Sequence, residues 1–84
     1  MNISIIGGGS FGTSIGNQLA NNPLNKVILF VRNNEQANEI NELNTNKKYF
    51  PNIRLNKFLL ASTDVKIIEK ADIIFLALPS KRIQ

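Results

Sequence analysis

The chain predicts an α/β fold built on a parallel sheet with helices on both faces, and three observations carry that prediction. Four short apolar runs alternate along the sequence with segments that suit a helix. The first run passes without a linker into a turn that begins with three consecutive glycines, Gly7-Gly8-Gly9. The last, DIIFLAL over residues 72–78, is apolar at successive positions, as a strand covered on both sides requires.

Residues 3–6 are expected to form the first strand, apolar on both faces. Residues 10–20 suit a helix, with Phe11, Ile15 and Leu19 repeating every four residues as one apolar stripe and Asn21-Asn22-Pro23 as the stop. Gly12 and Gly16 leave a neighbouring strip of that helix bare, at a propensity cost near Gly16 of about 1 kcal/mol that close packing or simple tolerance must explain. KVILFV, residues 26–31, is β-branched and aromatic and predicts a second strand. Asn33 is placed as an N-cap, with Gln36 as its reciprocal capping-box partner, for a helix over 34–43. That helix is expected to turn Ala37, Ile40 and Leu43 inward and Glu35, Asn38, Glu39 and Glu42 outward. Residues 44–57 contain Pro51 and predict an irregular crossover. A short strand over 58–62, a helix over 65–70 with Val65 and Ile68 inward, and the strand at 72–78 complete the order. With right-handed crossovers this is the first half of a Rossmann-type parallel sheet, strand order 3-2-1-4.

Gly7, Gly9 and Gly12 fit G-x-G-x-x-G between a strand and a helix, the turn that sets backbone against a pyrophosphate. Gly7 permits the tight turn, Gly9 has no side chain to hold a phosphate away, and Gly12 lets the helix lie close to the sheet. The first-turn N–H groups and the helix dipole supply roughly +0.5 charge there. An acid ending the second strand would select NAD by bonding its ribose 2′-hydroxyl. This strand ends instead in Arg32-Asn33, and a guanidinium there suits a 2′-phosphate, which favours NADP over NAD.

Composition narrows the chemistry. Eighty-four residues, 43% hydrophobic and 19% charged, suit one small globular unit. Without cysteine or histidine there is no disulfide, no thiolate metal site and no triad of the usual kind. The net charge of +4 is carried by scattered residues, and only Lys47-Lys48-Tyr49-Phe50 joins charge to aromatics, so nucleic acid is not the expected partner. No stretch has the apolar length of a membrane span or the form of a secretion signal, and the cytoplasm is the expected location.

These segments together resemble the N-terminal part of bacterial NAD(P)-dependent glycerol-3-phosphate dehydrogenases. GGGSFGTSIG resembles that family's glycine turn, which commonly has an aromatic before the third glycine. LFVRN resembles its second-strand end, NKKYFP its Asn-x-x-Tyr-Leu-Pro segment, LASTD its third-strand turn, and ADIIFLALPSK its fourth strand and Pro-Ser loop. The resemblance covers essentially the whole chain. It implies cofactor contact by Ser10 and Phe11 at the pyrophosphate and by Arg32 and Asn33 on the adenosine side. It also implies a place for the loop from Pro79 to Arg82 beside the nicotinamide half. Tyr49 is implied on the same side of the site or in packing. The departures are Asn33, where the family often has a second basic residue, and Gly16, where alanine is common. Dual use of NAD and NADP therefore stays open.

The family oxidises glycerol 3-phosphate to dihydroxyacetone phosphate, or runs the reverse, with catalytic lysines and a helical domain beyond the fourth strand. On that resemblance, residues 1–84 are expected to be a cofactor-binding part with no substrate domain, no catalytic residue and no metal site. Another dehydrogenase of the same superfamily and a non-catalytic nucleotide-binding remnant are the alternatives. The strand at 72–78 has no lysine or proline within it to block edge pairing, so self-association through that edge is expected.

Overall fold

The computed structural model describes residues 1–77. Strand β1 (Asn2–Ile6) leads into helix α1 (Ser10–Leu19), strand β2 (Lys26–Phe30), helix α2 (Asn34–Asn38), strand β3 (Leu59–Ser62), helix α3 (Lys66–Glu69) and strand β4 (Ile73–Leu76). The four strands form one parallel sheet in the order β3-β2-β1-β4, as the sequence predicts. Both Ile3 and Ile5 of β1 are flanked in register on β2 and β4, Ile3 by Val27 and Ile73, Ile5 by Leu29 and Phe75. β2 in turn sets Val27 and Leu29 beside Leu59 and Ala61. Alternation along each strand therefore gathers Ile3, Ile5, Val27, Leu29, Leu59 and Ala61, all buried, on one face.

Helix α1 covers that face, and it does so with small residues. Gly12, Gly16 and Ala20 lie four apart and are all buried. A Cβ on Gly16 would stand 3.0 Å from Leu59 Cδ1 and 3.2 Å from both Ile5 Cδ1 and Leu29 Cδ2. Close packing, not tolerance, accounts for this glycine. The expected stripe of Phe11, Ile15 and Leu19 is thereby corrected: Ile15 and Leu19 pack at the core's margin, but Phe11 is 64% exposed. A helix held this close to the sheet has no room for a large side chain on its contact line.

The predicted second helix is two pieces. α2 ends at Asn38 and the chain continues as a π-helical turn, Glu39–Leu43, closed by Asn44 in the left-handed region at φ 58°. The wider turn breaks the three-residue spacing of the apolar positions. Ala37 and Ile40 are buried as expected, whereas Leu43 turns outward and is exposed. The third helix is also shorter than expected and begins after Val65, which is exposed rather than inward. Its N-cap position is Val65, which makes no side-chain cap bond, and Asp64 just before it accepts the Lys66 N–H on Oδ1 at 2.9 Å in the turn that leads into the helix. On the opposite face of the sheet Ser4, polar yet buried within β1, donates to the Ile67 carbonyl at 3.2 Å and ties α3 beneath the strand. β4 stands at the end of the sheet, paired to β1 alone among the described residues, and all four of its side chains are exposed. No helix among the described residues is long and apolar enough to cross a membrane.

Candidate functional site

A cleft of about 740 Å³ opens at the carboxyl ends of β1 and β2, where the chain leaves the sheet for α1 and α2. This is the crevice in which open parallel sheets bind ligands. It brings together six of the residues singled out from the sequence: Gly7, Gly9, Ser10, Phe11, Arg32 and Asn33. Gly12 lies buried beneath the cleft, close against the Gly7 carbonyl and Ala77. Pro79 lies outside the described residues.

The turn is shaped by two different demands. Gly7 has φ +125°, a region that a side chain rarely enters, and a Cβ there would overlap the Ala77 carbonyl. Its N–H still bonds the Phe30 carbonyl at 3.1 Å, so the sheet continues to the lip of the turn. Gly9 is the N-cap of α1 at φ −79°, ψ −166°, extended backbone open to any residue. A Cβ on Gly9 would meet only Tyr49 Cε1, 4.0 Å away, so the space before it is free of protein. The N–H groups of Gly9, Ser10 and Phe11 have no backbone partner among the described residues. This is the donor set and the open cradle that a pyrophosphate requires, with the dipole of a ten-residue helix behind it.

Behind the turn sits a polar cluster. The Gly8 carbonyl accepts from Gln36 Nε2 at 2.7 Å, Asn46 Nδ2 at 3.1 Å and Thr13 Oγ1 at 3.3 Å. Asn46 also donates to Thr13 Oγ1 at 2.9 Å, and its Oδ1 accepts from Gln36 Nε2 at 3.3 Å. Asn46 is 1% exposed and Thr13 fully buried. The capping-box role expected of Gln36 is thus corrected: Asn33 does cap α2, its Oδ1 accepting from the N–H groups of Glu35 at 2.7 Å and Gln36 at 3.2 Å, but the Gln36 side chain reaches away to the glycine turn.

Arg32 follows β2, is exposed and lines the same cleft as the glycines. Val31 before it is buried, with its N–H on the Ser62 carbonyl at 3.0 Å, which fixes the point where the chain leaves the sheet. Tyr49 lines the cleft from the crossover segment, exposed, with Lys48 Nζ 5.5 Å from its ring centre. Gly8, Thr13 and Asn46 lie in segments singled out from the sequence, GGGSFGTSIG and NKKYFP, but no sequence pattern gave any of them a role in this cluster. Asn46 lies in a polar segment without periodicity, and only the tertiary fold buries it.

Comparison with known proteins decides the family. A family model described as NAD-dependent glycerol-3-phosphate dehydrogenase N-terminus matches residues 2–84. The chain belongs to this family. The glycerol-3-phosphate dehydrogenase [NAD(P)+] of Halothermothrix orenii is 47% identical over 79 residues, covering 93% of this chain and 23% of the relative. That of Rickettsia africae is 46% identical over 79 residues, covering 94% and 24%. Among solved structures, glycerol-3-phosphate dehydrogenase from Saccharomyces cerevisiae superposes with a TM-score of 0.82 at 29% identity, over 94% of this chain and 26% of that one. The Coxiella burnetii enzyme gives 0.80 at 31% identity, over 94% and 24%. The chain therefore spans about a quarter of the length of these glycerol-3-phosphate dehydrogenases. Its place within them is the N-terminal Rossmann unit.

Proposed function

We propose that the cleft binds NAD(P), with the pyrophosphate on the first turn of α1 and the adenosine side toward Arg32. The observation that carries this is the open space before Gly9, beside the N–H groups of Gly9, Ser10 and Phe11 that lack backbone partners among the described residues. Arg32 and Tyr49 in the same cleft suit a phosphorylated ribose and an aromatic ring. Ser10 and Phe11 meet the pyrophosphate half; Asn33 lines the adenosine half while its side-chain oxygen holds the cap of α2. Pro79 is proposed beside the nicotinamide. A bound NAD(P) supplies the hydride acceptor or donor. This chain's residues bind and orient it, and no residue among 1–77 is assigned a catalytic step. The whole activity proposed is the interconversion of glycerol 3-phosphate and dihydroxyacetone phosphate, in the cytoplasm, with substrate groups from outside this unit.

NADP is the preferred form in this proposal. A charge-assisted bond from Arg32 to a 2′-phosphate contributes about 1.5–3 kcal/mol, or roughly tenfold to a hundredfold in affinity. Titration of the chain with NADPH and NADH is expected to show NADPH tighter by that factor, and Arg32→Ala is expected to bring the two together. Equal affinities in the parent, or an unchanged preference in the variant, would remove the 2′-phosphate role.

The partner proposed is a dinucleotide and not nucleic acid. A second copy of the chain is proposed along β4, whose outer edge is unpaired among the described residues and whose Ile74 and Leu76 are 45% and 69% exposed. Sedimentation is expected to show concentration-dependent association that Phe75→Lys abolishes. A monomer at all concentrations would contradict it.

A further inference from the structure

We propose that Asn46 and Gln36 are positioning residues for cofactor binding: they hold the Gly8 carbonyl away from the cleft and thereby present the Gly9 N–H to the pyrophosphate. The inference rests on the cofactor reading above and deepens it. A trans peptide is planar, so the C=O of Gly8 and the N–H of Gly9 point in opposite directions. The Gly8 carbonyl is fixed by three donors, from Gln36, Asn46 and Thr13, two of which sit on buried side chains. With that oxygen held inward, the Gly9 N–H is turned outward. A turn rich in glycine otherwise has little to stop this peptide from flipping and offering the cleft an oxygen, which repels phosphate.

The delivery of Asn46 is itself built. The π-helical turn ends at Asn44, and the Glu39 carboxylate then accepts from Thr45 Oγ1 at 2.7 Å and from the Lys47 N–H at 2.8 Å. These bonds fix the chain on both sides of Asn46. Its carbonyl accepts from the N–H groups of Tyr49 at 3.1 Å and Phe50 at 2.9 Å, so one tight turn both aims the Asn46 side chain inward and sets the Tyr49 ring over the cleft. The hydrogen-bond partners of the Asn46 side chain are all neutral. Of the charged groups on the adjoining segments, the Glu39 carboxylate is engaged by the Thr45 hydroxyl and the Lys47 backbone N–H, and Lys47 and Lys48 are exposed.

The test is NADPH titration of the chain and its variants at two pH values, with thermal melting recorded alongside. In Asn46→Asp the carboxylate has no proton to donate and faces the Gly8 oxygen; once protonated, it can donate again. Kd is expected to rise about tenfold at pH 8 and to fall back toward the parent near pH 5. Asn41→Asp is the control, because Asn41 brackets the Ala61 peptide through two bonds, 2.8 and 2.9 Å, in β3, away from the turn. It is expected to melt earlier yet keep the parental Kd at both pH values. Should Asn46→Asp fail to fold, Gln36→Leu at a half-buried position takes its place, with a Kd raised several-fold on an intact fold. Parental Kd in a folded Asn46→Asp or Gln36→Leu, or equal loss in Asn41→Asp, overturns the positioning role alone. No NADPH binding by the parent overturns the cofactor reading and this inference with it.

Discussion

Gly9→Val is expected to abolish NADPH binding while leaving the fold in place. The backbone at Gly9, φ −79° and ψ −166°, accepts any residue, and a Cβ there has only Tyr49 Cε1 near it, at 4.0 Å. Valine is a poorer N-cap than glycine, a cost of at most about 1 kcal/mol. Its two methyl groups, however, fill the space where the pyrophosphate is proposed to sit. Losing two charge-assisted N–H bonds at about 1.5–3 kcal/mol each corresponds to a loss of roughly a hundredfold to ten-thousandfold in affinity. Titration calorimetry paired with circular dichroism checks both halves of this expectation. Unchanged affinity in the variant means that the pyrophosphate does not lie on this turn.

Gly7→Ala is expected to do the reverse and damage the fold first. Here φ is +125°, so any side chain is strained before contacts are considered, at about 1–3 kcal/mol. The new Cβ would also overlap the Ala77 carbonyl, backbone that is itself held to β1 by the Ala77 N–H on Ile6 oxygen at 2.9 Å. Relief requires β1 and β4 to move apart at the mouth of the cleft. Small domains have about 5–15 kcal/mol of stability in all, and this sheet leaves β4 exposed on both faces. A loss of about 3 kcal/mol or more is expected, read as a lowered urea midpoint. An unchanged midpoint would mean that the turn relaxes without cost. Two glycines two residues apart in one motif thus do separate jobs, one for the backbone path and one for the ligand.

What could be read from the sequence follows from how local each signal is. The alternation of apolar runs and helical segments is local, and it led to the strand order and the parallel sheet. The glycine spacing and Arg32 are local too, and the fold brings them to one cleft. Phe11 misled because its four-residue spacing with Ile15 and Leu19 resembles a core stripe; the sheet instead selects the strip of Gly12, Gly16 and Ala20 by close approach. Leu43 misled because a π-helical turn changes the period in mid-helix, which no residue spacing announces. Gln36 fitted a capping box, yet its amide finds the Gly8 carbonyl, 28 residues back in the chain. Asn46 opens the NKKYFP segment that carries part of the family resemblance, but nothing local to it indicates a role at the glycine turn. Its importance comes from partners 38 and 33 residues earlier in the chain, Gly8 and Thr13.

The central claim, that the first turn of α1 holds a dinucleotide phosphate, is tested most directly by following backbone amide resonances during addition of NADPH. The largest shifts are expected at Gly9, Ser10 and Phe11, whose N–H groups lack backbone partners among the described residues, with a second group at Arg32 and Tyr49. Shifts that saturate elsewhere, such as around Lys26 and Lys70 in the smaller hollow beneath β1, would contradict it.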